Sequence, residues 1–177
     1  MQITRYDFKS PVNKPLRAAF VADTHDKPYG KIVEEIIANK VDFILHSGDI
    51  IYAQDDYGER AFDMLREFVS IAPTFMSLGN HEGGAVSLVR NKCSEIGVKL
   101  LEDDFTEFEG ITIGGLTSGY IENNEGLEEN HWKNTPAPNV SWLKEFSLQN
   151  GYKIVSVNQG YTKCTSLVIG EKALVSA

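Results

Sequence analysis

The sequence predicts an α/β protein, and three observations carry that prediction. Short apolar runs alternate with stretches of helical periodicity in a βαβαβα rhythm up to about Gly97. Each of the first three apolar runs ends in a cluster of polar residues. Those clusters lie 26 and 31 residues apart, from Asp23 to Asp49 and from Asp49 to Asn80, which is the span of one βα unit of about 30 residues. Strands connected in this way run parallel and open on the same C-terminal sheet edge, so the clusters can converge.

The elements follow in order. Arg17 to Ala22 is a mostly apolar run that gives way to Asp23-Thr24-His25-Asp26, as a buried parallel strand does on entering a loop. Lys31 to Lys40 places Ile32, Val33, Ile36 and Ile37 on one face of a 3.6-residue helix, with Glu34 and Lys40 outside. Val41 to Ser47 is the second strand and ends at Gly48-Asp49. Gly58 to Ile71 repeats the helical spacing with Phe62, Leu65, Phe68 and Val69, and Pro73 closes it. Thr74 to Leu78 is a third strand, ending at Gly79-Asn80-His81-Glu82; Ala85 to Ile96 is a third helix with Val86, Val89 and Cys93 inward. Beyond Gly97 the texture changes. Val98 to Leu101, Phe105 to Phe108 and Ile111 to Ile113 read as short strands of a meander or hairpin edge. Tyr120 to Asn139, polar and acidic with Pro136 and Pro138, reads as a long surface loop. Ser141 is placed to cap a short helix carrying Trp142, Leu143 and Phe146. Lys153 to Val157 and Thr165 to Ile169 read as strands.

Composition narrows the class. The 177 residues suit one domain over 1–177. With 42% hydrophobic and 24% charged residues the chain has the makeup of a globular protein, which excludes disordered and collagen-like classes. Lys+Arg 17 against Asp+Glu 25 leaves a formal charge of −8, so no broad basic face is expected; duplex nucleic acid is disfavoured and no membrane surface is expected as a partner. Cys93 and Cys164 form no CxxC pair, Met1 to Ser10 mixes Arg5, Asp7 and Lys9 among its apolar residues, and no apolar run approaches the roughly 20 residues of a bilayer span. A cytoplasmic protein is the expectation.

The strand-end clusters carry the chemistry. Carboxylate and amide oxygens mixed with imidazole suit Mn, Fe or Zn. An aspartate can bridge two such ions, and a pair about 3.5–4 Å apart can clamp a phosphoryl group and activate a water. Gly48 and Gly79 allow sharp backbone turns beside such a site. His46, inside a strand, reads as a buried structural histidine; His131 and the acidic pairs Asp55-Asp56 and Glu128-Glu129 read as loop residues.

Taken together, Asp23-Thr24-His25, Gly48-Asp49 and Gly79-Asn80-His81-Glu82 resemble the first three motifs of the calcineurin-like metallophosphoesterases. The resemblance is best over residues 16–115 and extends loosely to Trp142-Leu143-Lys144-Glu145-Phe146. It implies a metallophosphoesterase-type β-sandwich flanked by helices, with a shortened C-terminal half. It also implies that Asp23 and His25 bind a first divalent metal ion, Asp49 bridges two, Asn80 binds the second, and His81 protonates the leaving oxygen of a phosphomonoester or phosphodiester. Small-molecule phosphoesters or nucleotides are the substrates it implies.

Two features of that family are absent. After the helix the family carries a strand ending in a metal-binding histidine, and later a Gly-His-x-His motif; here the histidines are His25, His46, His81 and His131. Aligned on that strand, Lys153 to Asn158 offers Asn158 as a weak replacement ligand. Alternatively Val157-Asn158-Gln159-Gly160 corresponds to the family's closing strands, with an internal deletion between about Phe146 and Lys153. Two function classes follow: a metal-dependent phosphoesterase, or a catalytically weak or inactive remnant that acts as a binding module. A sheet lacking strands also exposes an edge, from which self-association is expected.

Overall fold

In the computed structural model the described residues are 3–52, 58–119 and 139–158, together with the backbone of 165–169 and 173–176. His131, Asp55-Asp56, Glu128-Glu129, Cys164 and the expected loop over 120–138 lie outside them.

The first sheet is parallel, in the order β1 (Ala18–Val21), β2 (Phe43–His46), β3 (Thr74–Met76) and β4 (Lys99–Leu100). Its crossovers are α1 (Gly30–Asn39), α2 (Glu59–Ile71) and α3 (Val86–Ile96). The second sheet runs β5 (Asp104–Phe108), β6 (Ile111–Leu116), β7 (Tyr152–Asn158), β8 (Thr165–Ile169) and β9 (Ala173–Ser176). Its neighbours are antiparallel except β6 and β7, which run parallel across the connection that contains α4 (Val140–Ser147).

Side-chain alternation makes a layered sandwich from these sheets. In β2, Ile44 packs among Val33, Leu65, Phe68 and Val89 of the three crossover helices, while its neighbours Phe43 and Leu45 pack against Phe75, Ile113 and Ile154 between the sheets. On the far face of the second sheet, Trp142 and Phe146 of α4 meet Leu116, Val155 and Val157. The order is therefore helices, parallel sheet, mixed sheet, helix. Phe68 is fully buried, and its truncation to alanine is worth about 3–5 kcal/mol in such a site. Among the described residues no helix is long and apolar enough to cross a membrane.

The structure corrects four expectations of detail. Lys99-Leu100 does not enter a meander: it pairs parallel with Phe75-Met76 and closes the first sheet, because the turn at Gly97 returns α3 to the edge of β3 as in the two preceding βα units. The hairpin begins only at β5. Ile37 is 56% exposed; α1 buries Val33 and Ile36, and Ile37 lies one residue too far round the helix. The cap of α4 is Asn139, whose Oδ1 accepts from the Trp142 amide at 3.0 Å, which leaves Ser141 inside the helix. Finally, β9 has no counterpart among the expected strands.

Candidate metal centre at the strand ends

The ends of β1, β2 and β3 do bring the three polar clusters together. Hydrogen bonding between β1 and β2 continues past the strands: the Asp23, His25 and Asp26 amides donate to the carbonyls of Gly48, Asp49 and Ile50 at 3.3, 3.0 and 2.7 Å. To run alongside one another these loops adopt left-handed backbone at Asp23, His25, Asp26 and Asp49, with φ between 46° and 55°. Each such residue without a glycine costs of order 1 kcal/mol, and strain of this kind concentrates where side chains are being aimed. Gly48, at φ 103°, and Gly79 meet across the gap; a Cβ on Gly48 would land on the Gly79 backbone, and one on Gly79 would land on the Asp49 carboxylate. Both glycines are thus required by close approach, as their place beside the clusters predicts.

One ligating atom each from His25, Asp49 and His81 lies within 4.8 Å of the others. The His25 and His81 rings sit edge to face with centroids 4.5 Å apart. His25 Nδ1 is 3.4 Å from the Ile51 carbonyl; the ring proton belongs on that nitrogen, which leaves the Nε2 lone pair toward Asp23 Oδ1 at 3.9 Å. Asp49 is buried, and its Oδ1 accepts from the His81 amide at 2.9 Å. Asn80 Oδ1 and His81 Nδ1 are buried with no hydrogen-bond partner among the described residues. An orphaned carbonyl oxygen of this kind costs about 1–3 kcal/mol unless a cation or water completes it.

The electrostatics agree with a cation site. Burial, reinforced by the neighbouring Glu82 carboxylate, pushes Asp49 well above the usual carboxylate range. Burial lowers His25 and His81, His81 further through the nearby His25, so both imidazoles are neutral donors at pH 7. The crowded carboxylates, the neutral imidazoles and the orphaned Asn80 oxygen together fit a bound divalent ion.

Asn158 also arrives at the site. The second sheet is tied to the first by Ser77 Oγ to Ser156 Oγ at 3.3 Å and by the Ser118 amide to the Leu78 carbonyl at 3.0 Å. That register sets Asn158, two residues further along β7, against Asp23: its Nδ2 donates to Asp23 Oδ1 at 3.1 Å. His46 is fully buried; its Nδ1 accepts from the Gly48 amide at 3.1 Å and its Nε2 faces Thr24 Oγ1 at 3.3 Å. It is the structural histidine the sequence predicts, and burial pushes its pKa down to about 3.

Two organising residues carry no role in the sequence reading. Glu82, fully buried, accepts from the amides of Asp49 and Gly79 at 2.8 Å and of Ile50 at 2.9 Å. It thereby clamps the second loop onto the third. Burial raises its pKa against the opposing pull of these bonds. Asp26 Oδ1 accepts from the Ala61 amide at 2.7 Å and caps α2 from across the fold, while Arg60 donates to the Asp26 carbonyl at 3.0 Å. The polar ending of the first cluster was the available signal for Asp26. An open cavity between the N-terminal ends of α1 and α2, lined by Asp26, Tyr29, Arg60 and Glu67, touches the site only through that loop.

Comparison with known proteins adds a family. The calcineurin-like phosphoesterase family matches residues 16–167; it is a family of metal-dependent hydrolases acting on phosphoesters. Among solved structures, TT1561 of Thermus thermophilus superposes with a TM-score of 0.57 at 14% identity, over 83% of this chain and 72% of that one. A second solved structure gives 0.54 at 12%, over 81% and 69%. At such identities the likeness concerns the fold alone. No curated protein matches the chain.

Proposed function

Since the chain belongs to the calcineurin-like phosphoesterase family, we propose that it hydrolyses a phosphomonoester or phosphodiester of a small molecule or nucleotide at a two-metal site built on the ends of β1, β2 and β3. The observation that carries this reading is the meeting of His25, Asp49 and His81 beside the orphaned Asn80 oxygen. Asp23 and His25 would hold one ion and Asn80 the other, with Asp49 shared between them and Asn158 a weak additional ligand on the Asp23 side. Divalent Mn, Fe or Zn bound here neutralises the phosphoryl oxygens and acidifies the attacking water.

The chain's own residues supply the rest. Asp49, whose proton burial retains in the free site, gives it up when a divalent ion binds and accepts from the His81 amide. Glu82 and Asp26 hold the loops so that these groups need no reorganisation during the reaction. Water oxygen adds to phosphorus and releases a proton to solvent, the ester P–O bond breaks with its electron pair leaving on the ester oxygen, and His81 in its protonated form delivers a proton to that oxygen. The imidazole is neutral in the free site, so it takes up that proton once an anionic phosphoryl group is beside it.

One observation favours a second role for His81. Its ring lies as close to His25 and Asp49 as a ligand would, so it can stand in for an imidazole that the second sheet does not supply. Turnover of an aryl phosphate ester or diester with added Mn tests the hydrolytic reading. Turnover that vanishes with chelator is expected; Mn binding without turnover on either ester would favour the binding-module alternative. We also infer self-association through the end strand β9, which pairs with β8 alone among the described residues; a concentration-independent monomer in light scattering would oppose it. The cytoplasmic setting rests on the cysteine usage and composition alone.

A further inference from the structure

The clearest unassigned feature at the site is Tyr52, which directly follows the second loop. Its ring is 47% exposed, although it sits 5.5 Å from the His81 ring and 5.7 Å from the His25 ring, centroid to centroid. The ring is tilted by 37° to His81 and nearly perpendicular to His25, so it forms one wall of the site and leaves a face open. Its hydroxyl makes no hydrogen bond among the described residues. An exposed aromatic face next to a polar reaction centre is apolar area on which a ligand's ring can stack.

The position defines what covers it. His81 is the group proposed to protonate the leaving oxygen, and the part of a substrate beyond that oxygen starts within one ring's width of Tyr52. The surrounding charge narrows the choice further: the chain carries −8 overall, and the cavity on the far side of the first loop sets Asp26, Glu59, Asp63 and Glu67 against the one cation Arg60. A long anionic leaving group would meet repulsion there; a flat, uncharged ring would not. We propose that Tyr52 is a specificity-determining residue that stacks on a planar aromatic ring in the leaving group, so that the preferred substrates are phosphoesters of aryl alcohols or of nucleosides rather than of alkyl alcohols. This rests on the hydrolytic reading above and adds the substrate class to it.

The test compares Tyr52→Ala, Tyr52→Leu and Tyr52→Phe with the parent protein, each loaded with Mn, on phenyl phosphate, a nucleoside 5′-monophosphate and glycerol phosphate. Comparing variants on each ester cancels the intrinsic reactivity of the leaving groups. Tyr52→Ala should lower kcat/KM about tenfold on the ring-bearing esters and less than twofold on glycerol phosphate, with Phe restoring the loss and Leu restoring less than half of it. A loss confined to phenyl phosphate assigns the ring to an aryl ester, and one confined to the nucleotide assigns it to a nucleobase. Equal loss on all three esters, or none on any, overturns the proposal, because Tyr52 would then only support the histidine rings. Calorimetric binding of phenylphosphonate against methylphosphonate separates this from a failure of the hydrolytic reading. If no ester is turned over, a phenyl preference of about tenfold that disappears in Tyr52→Ala still upholds the stacking role, and no phenyl preference rejects it.

Discussion

The two sheets contribute very unequally to the candidate site. Three strand ends of the parallel sheet bring Asp23, His25, Asp49, Asn80 and His81 to one edge, whereas among the described residues the mixed sheet brings only Asn158. The reason is topological. Each parallel strand must end on the same edge and pass through a loop before its crossover helix, so every βα unit adds a loop to the site. In the mixed sheet the antiparallel neighbours alternate direction, so that β5 and β8 begin on the edge where β6, β7 and β9 end. The lesson is that the parallel half of this fold can assemble a candidate metal cluster on its own, held by Glu82 and Asp26, while among the described residues the mixed half adds one amide.

The comparison breaks most decisively at Asp49. Asp49→Asn should abolish metal binding and reduce turnover by at least about 10³-fold, since it removes the shared charge between the two sides of the cluster. His81→Ala should cost about 10²–10⁴ in turnover. If His81 is the proton donor, its variant keeps its metal; if it stands in for a missing ligand, it loses metal as well. Elemental analysis of the two variants side by side decides between these roles. In the parent protein, Mn at about one hundred times Kd should stabilise by about 2.7 kcal/mol, a rise of roughly 5–11 °C in Tm for a domain of this size. Asp49→Asn should show no rise.

Glu82 tests whether the first sheet's self-sufficiency is structural. Glu82→Ala would leave the amides of Asp49, Ile50 and Gly79 buried without an acceptor, and should destabilise the fold by about 3–5 kcal/mol in urea. Glu82→Gln keeps one oxygen and should lose less. A loss under about 1 kcal/mol in the alanine variant would show that the loops hold themselves.

What could be seen in the sequence divides along the same line. The parallel half is local: each strand, loop and helix is one contiguous pattern, so Asp23, His25, Asp49, Asn80 and His81 could be picked out before any contact was known. Glu82 could not be given its role, because its partners are backbone amides 32 and 33 residues away that look alike in any sequence. Lys99-Leu100 is too short to show which sheet it joins, and Asn139 displaced Ser141 as a cap because the helix starts two residues earlier than its apolar spacing indicates. The place of Asn158 depends on the register of β7 on β6, which no local pattern encodes.

His46 gives a smaller and opposite test, since it belongs to the parallel half but not to the cluster. Its pKa is pushed down to about 3 by burial, below the value near 6.5 of an unfolded chain. Above pH 6.5 the imidazole is neutral in both states and costs nothing. As pH falls from 6.5 toward 3 the unfolded chain takes a proton that the folded one refuses, so stability should drop by about 1 kcal/mol per unit. His46→Asn, which keeps an acceptor near the Gly48 amide, should be less stable at pH 7 but flatter between pH 6 and 4. Parallel curves for the two proteins would assign the acid sensitivity elsewhere.

The smallest expected effect sharpens the comparison from the side of the mixed sheet. Asn158 reaches Asp23, but a neutral amide adds little to a divalent ion compared with an imidazole or a carboxylate. Asn158→Ala should therefore weaken Mn binding by about tenfold, the low end of what the loss of a group that orients a ligand costs. Asn158→His would place an imidazole where the mixed sheet now offers an amide. Because β7 already holds that position against Asp23, the new ring needs no rearrangement of the strand, and Mn binding should tighten, so that saturation is reached at a lower Mn concentration than in the parent protein. A calorimetric titration of the three proteins reads both changes. If Asn158→Ala removes metal as completely as Asp49→Asn, the mixed sheet is an equal partner in the site. If Asn158→His changes nothing, the amide faces Asp23 without facing the ion, and the parallel sheet holds the metal alone.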